Sequence, residues 1–283
     1  MMLPKLSLIA LLSLCSFASA QQPEKTTLTT SEWEIPQKKE DFHVFLLMGQ
    51  SNMNGAAKTK EGDEKPTPHV LGLVKESEKA PKWVPAAHPL QNFPQRKSFS
   101  LGIPFAKQYL IDHQGITVGL IPAARGGHSI GRLRKGTEGY SFAIEQAKFA
   151  MKQGTLKAIL WHQGESDTVS NRTADAYKEK LEQLITQLRN DLGKPNLPFI
   201  VGNLAEFYGT GPGHNKPERV KNINKVRATL RAIPTEVANT GFVESTDCKS
   251  MDRHMVHFDR DSYILLGKRY AEVYKKMAAD KKP

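Results

Sequence analysis

Four short stretches of this 283-residue sequence carry side chains suited to acyl transfer. A serine sits in Gly49-Gln50-Ser51-Asn52-Met53 and a glycine pair in Arg125-Gly126-Gly127-His128. An amide stands beside acids in His162-Gln163-Gly164-Glu165-Ser166-Asp167, and an imidazole lies in His257-Phe258-Asp259. A serine hydroxyl is a weak nucleophile until a histidine accepts its proton, and the tetrahedral oxyanion that follows needs donors aimed at it. Ser51 and His257 supply the first pair. The N–H groups of Ser51 and Gly127 and the side-chain amide of Gln163 are the candidate oxyanion donors. Gln50 and Asn52, flanking the serine, and His128, beyond the glycine pair, are candidate substrate contacts. Each residue alone has a plainer reading as a strand-to-loop turn, a glycine turn, a loop-stabilising amide or a satisfied core histidine. Their coincidence in successive strand-end loops favours the chemistry.

The elements that must position these loops read clearly. The apolar run Val44 to Met48 has strand length and stops at a glycine. Further strands are predicted at Ile116–Ile121, Lys157–Trp161, Phe199–Gly202 and Gly241–Val243. Helices are predicted at Gly102–His113, Ser141–Gln153, Thr173–Leu192, Asn222–Ala232 and Asp261–Ala278. Strand and helix take turns, which predicts a parallel sheet with helices on both faces and puts all four loops on the carboxyl edge, where such sheets bind ligands. Between them, Lys58 to Arg96 is rich in Pro, Lys and Glu and reads as a long surface excursion. Its Trp83 and Phe93 would either line a cleft or pin the loop to the core.

Met1 to Lys5, the apolar run Leu6–Phe17 and Ala18-Ser19-Ala20 have the order of a cleaved export signal, too short to span a bilayer. The expected organisation is a signal peptide at 1–20, a linker at 21–40 rich in Gln, Thr, Lys and Glu, and one domain at 41–280. The expected destination is secretion or the periplasm. Of two cysteines, Cys15 falls in the signal, so Cys248 has no partner within the chain and stability must come from packing. The net charge is +11, but the lysine pairs at 38–39, 275–276 and 281–282 are scattered and carry no interleaved aromatics. They read as a solvated face rather than a nucleic-acid surface, and an acidic glycan is the more natural partner of an exported basic protein. His254, His257 and Asp259 match no common metal-ligand spacing, and no cofactor is expected.

From about Phe42 to Tyr274 the sequence resembles the SGNH hydrolase superfamily, in its branch of sialic-acid-specific acetylesterases and acetylxylan esterases (carbohydrate esterase family six). The resemblance rests on Gly49-Gln50-Ser51-Asn52-Met53, Gly126-Gly127, Trp161-His162-Gln163-Gly164-Glu165-Ser166-Asp167 and His257-Phe258-Asp259. It implies a three-layer α/β/α, flavodoxin-like fold with a central parallel sheet, and hydrolysis of O-acetyl groups on a carbohydrate such as acetylxylan or O-acetylated sialic acid. It makes Ser51 the nucleophile and His257 the base, with Gly127 and Gln163 in the oxyanion hole. One position departs from the pattern: His254 stands where the family places an aspartate three residues before the histidine. Glu165, whose block matches without gaps, is the preferred acid; Asp252 and a bare Ser–His dyad are the alternatives. A glycan-binding module lacking catalysis would keep the cleft while losing the Ser or the His. An esterase for lipids would show an apolar lid, which the polar 58–96 stretch does not resemble.

Overall fold

Strand β1 (Phe42–Gly49) runs through the middle of the molecule with seven of its eight residues buried. Central strands of parallel sheets are covered on both faces, so they read as continuous apolar runs rather than alternating ones. The computed structural model describes residues 30–76, 79–90 and 98–280. After β1 the chain forms the helical turn α1 (Ser51–Asn54), β2 (Ala57–Lys58), β3 (Val70–Val74), β4 (Lys82–Pro85), β5 (Ser98–Phe99) and α2 (Gly102–Ile111). It continues with β6 (Thr117–Pro122), α3 (Glu138–Ala150), β7 (Thr155–His162), α4 (Asn171–Asp175) and α5 (Tyr177–Asp191). It ends with β8 (Phe199–Gly202), α6 (Pro217–Glu236), β9 (Thr240–Val243) and α7 (Arg260–Ala279).

Seven strands join in the order β4-β3-β6-β1-β7-β8-β9. Every neighbouring pair is parallel except β3 with β4. Helices α2 and α7 pack together over one face, and α3, α5 and α6 cover the other. This is the three-layer α/β/α architecture expected of the chain. Later strands lie on both sides of β1, with β6 paired to it on one side and β7 on the other. The end of β1 is therefore the topological switch point, where loops diverge and leave a crevice.

The structure also departs from the expected elements. The helix predicted over Thr173–Leu192 divides into α4 and α5, and α4 begins at a Ser170–Thr173 capping box upstream of the predicted start. The excursion over 58–96 contains β3 and β4, which extend the main sheet. Trp83 pins this region: its Nε1 donates to Gln153 Oε1 at 3.0 Å, and its ring lies 4.9 Å from that of Phe42. Phe93 and the predicted signal peptide lie outside the described residues. Within the predicted linker, 3₁₀ turns form at Thr30–Trp33 and Lys39–Asp41, and Trp33 and Ile35 pack against the core. Among the described residues no helix is long and apolar enough to cross a membrane.

Candidate active site

Gly49 ends β1 at φ +144°, and a Cβ there would stand 2.2 Å from the His162 carbonyl oxygen. Only glycine lets β1 finish this close to the end of β7. The Gln50 N–H then donates to His162 O at 3.0 Å, and Gly55 N donates to Ser51 O at 2.8 Å, closing α1. Ser51 is the first residue of that turn, where a backbone N–H has no intrahelical acceptor. Its hydroxyl points at the last loop of the chain: Ser51 Oγ lies 3.0 Å from His257 Nε2.

His257 belongs to the segment between β9 and α7, where Ser250 and Phe258 form an isolated bridge. Its own carbonyl accepts from Met251 N at 3.0 Å and from Ser250 Oγ at 3.3 Å. Burial holds the imidazole below its ordinary pKa; the Asp252 carboxylate opposes this, and His254 reinforces it. A neutral imidazole at neutral pH can accept the serine proton.

The two candidate acids stand in different relations to His257. Asp252 shares its loop and acts on it through charge, while its Oδ1 accepts from His254 N at 2.8 Å. Glu165 is 3% exposed, and its Oε1 accepts from Asn52 Nδ2 at 2.5 Å. Among the described residues, no hydrogen bond joins either carboxylate to the His257 ring.

Gly127, at φ +70°, presents its backbone to the cleft, and its carbonyl accepts from Ser166 Oγ at 3.1 Å. The N–H groups of Ser51 and Gly127 have no acceptor among the described residues. Gln163 does not join them. Its side chain is fully buried, and Nε2 donates to Asp167 Oδ2 at 2.6 Å with Gln50 Oε1 and His128 O each at 3.2 Å. Asp167 Oδ2 also accepts from Ile130 N at 2.8 Å. Gln163 and Asp167 thus brace the glycine loop from behind, with no donor of Gln163 left for an oxyanion.

Of the candidate substrate contacts, Gln50 lines the cleft, although its Oε1 is taken by Gln163 and by Ser166 N at 3.2 Å. Asn52 is completely buried and cannot reach a substrate. His128 lies outside the cleft lining, with Nδ1 3.2 Å from Gly126 O. The cleft encloses about 640 Å³ around Ser51 and His257. Its walls include Arg132, Arg219 and His214, none of which the sequence reading singled out. Arg219 Nη2 donates to Tyr208 OH at 2.8 Å, which holds the guanidinium in the wall. The sequence signal for these residues is thin, because they come from loops and a helix start without a motif.

A three-layer α/β/α fold with a hydrogen-bonded Ser–His pair at the switch point defines a class of ester hydrolases. Within it, the chain belongs to the carbohydrate esterase family described as sialic acid-specific acetylesterase, which matches residues 41–276. It is 27% identical over 248 residues to a probable carbohydrate esterase of Arabidopsis thaliana, covering 82% of this chain and 89% of the relative. The crystal structure of an Arabidopsis thaliana protein superposes with a TM-score of 0.70 at 25% identity, covering 83% of this chain and 98% of the other. NanS shares the fold at a TM-score of 0.69 and 14% identity over 86% of this chain and all of its own. A carbohydrate acetylesterase from Xanthomonas citri does so at 0.60 and 19%, over 86% of this chain and 57% of its own.

Proposed function

We propose that this carbohydrate acetylesterase removes O-acetyl groups from a sugar bearing a carboxylate, with Ser51 as nucleophile, His257 as base and Asp252 as the acid that supports it. The observation carrying the reaction is the 3.0 Å contact between Ser51 Oγ and His257 Nε2 in an open cleft. Ser51 Oγ attacks the acetyl carbonyl carbon as His257 Nε2 takes its proton. The N–H groups of Ser51 and Gly127 receive the oxyanion. Collapse breaks the ester bond, and the sugar oxygen leaves with the proton from His257. Water, deprotonated by the same imidazole, then cleaves the acetyl-enzyme to acetate and restores Ser51.

Arg132 and Arg219 in the cleft wall support the carboxylate-bearing sugar, since guanidinium groups suit planar carboxylates, and the family description points the same way. The Met1–Ala20 pattern supports export, where such glycans are met. The test compares acetate release from O-acetylated sialic acid and acetylated xylan by the protein and by Ser51→Ala. Release from the sialic acid that disappears in the variant is the expected result. Release from xylan alone would overturn the acidic-sugar assignment, and release that survives Ser51→Ala would overturn the serine mechanism.

A further inference from the structure

Asn52 adjoins the nucleophile but faces away from it into the protein. Three of its four side-chain hydrogen bonds go to the parts that build the site, and the fourth goes to Tyr263 in α7. Nδ2 donates to Val256 O at 3.0 Å and to Glu165 Oε1 at 2.5 Å. Oδ1 accepts from Phe258 N at 3.4 Å and from Tyr263 OH at 3.0 Å. Val256 and Phe258 are the residues on either side of His257. We propose that Asn52 is a positioning residue that locks the His257 backbone to the turn carrying Ser51, and that Glu165 acts by holding Asn52 rather than by touching His257.

The amide orientation is fixed by its surroundings. Turned over, Asn52 would set its oxygen against Glu165 Oε1 and Val256 O, two acceptors, and its NH₂ against the Phe258 N–H. The loop it grips needs an external hold: apart from the Ser250–Phe258 bridge it has no regular structure, and Met255 sits at φ +55°. Ser250 and Met251 secure the His257 carbonyl from one side, while Asn52 secures the peptide groups before and after it from the other. Catalytic side chains must be held to within about half an ångström of productive geometry, which one neighbour of the nucleophile achieves here by bonding both neighbours of the base. Burial raises the Glu165 pKa, opposed by the Asn52 hydrogen bond, and Oε1 can accept that bond in either protonation state.

This inference rests on reading Ser51 and His257 as nucleophile and base, and its test separates the two. Hydrogen exchange of the Phe258 amide needs no substrate. Asn52→Ala should speed that exchange by about ten-fold or more while the β1 amides stay protected. With 4-nitrophenyl acetate as probe, the same variant should lower kcat by roughly 10- to 100-fold with KM changed less than about two-fold. Glu165→Gln retains an oxygen that can accept from Asn52 and should recover most of the rate lost in Glu165→Ala. Unchanged Phe258 exchange would overturn the clamp, and so would a Glu165→Gln variant as damaged as Glu165→Ala, which would assign the effect to the charge. Should Asn52→Ala fail to fold, the Glu165 pair carries the test. Should the unaltered protein hydrolyse no acetyl ester, the functional reading falls and the exchange rates in the Glu165 and Asn52 variants decide the clamp alone.

Discussion

Ser51 Oγ and His257 Nε2 lie 3.0 Å apart although 206 residues separate them in the chain. One comes from the turn after the central strand, the other from the loop before the last helix. Groups that act as a unit give strongly non-additive losses. Ser51→Ala and His257→Ala should each lower kcat/KM on an acetyl ester by up to roughly a million-fold. The double variant should be no worse than either. Steady-state kinetics on the three variants checks this, and losses that multiply would show that the two residues act separately.

The acid limb of the pH profile should report His257. Burial lowers its pKa below the ordinary 6.5, so kcat/KM should rise with pH through a midpoint under that value and then level off. Asp252 is the carboxylate that pushes this pKa back up. Asp252→Asn should therefore shift the acid limb to lower pH while reducing the plateau, because the imidazolium formed in the reaction loses its support. A limb that stays in place in Asp252→Asn and moves in Glu165→Gln would assign that role to Glu165.

Gln163 and Asp167 make a prediction about what is not catalytic. Losing an oxyanion donor typically costs about 3 kcal/mol of transition-state stabilisation. Gln163, however, is buried with its amide against Asp167 Oδ2. Gln163→Ala leaves a buried carboxylate short of a donor and should reduce folding stability by about 1–3 kcal/mol. Urea denaturation gives that loss, and kinetics on the folded fraction should show less than about a ten-fold drop in kcat. A loss of 100-fold with stability intact would return the amide to the oxyanion hole.

Much of the site was legible because strand ends are legible. The run Val44–Met48 stops at a glycine, and the glycine is required by the 2.2 Å approach of His162 O, so pattern and cause coincide. The direction of a side chain in a turn is another matter. Gln50 lines the cleft and Asn52 is fully buried, two positions apart in a segment where each helical residue rotates by about 100°. Gln163 looked like a donor because an amide beside an acid at a strand end suits either task, and only the positions of Asp167 and His128 decide between them. Strand β3 is not legible in the sequence because Val70–Val74 is short and set among Pro, Lys and Glu, and it is held in the sheet by pairing with both β6 and β4. The start of α6 at Pro217 carried a usable signal, since proline favours the first turn of a helix.

His162 gives the protein a defined sensitivity to acid. It is fully buried, and loss of solvent pushes its pKa down from 6.5 to about 3. As pH falls through that window the unfolded chain binds a proton that the folded chain refuses, so this residue's contribution to stability declines from about pH 6.5 and flattens near 3. His88, pushed down to about 4 by burial, acts in the same sense. Glu165 and Asp167 act in the opposite sense, since burial raises both and the folded state takes up their protons first. His162→Asn keeps a polar group for the Tyr270 hydroxyl, now 3.2 Å from Nδ1, and removes the titration. The variant should be less stable than the parent near neutral pH but lose stability less steeply on acidification. Urea midpoints taken at intervals across the window measure both slopes. Parallel slopes would mean that the acid sensitivity arises from other groups.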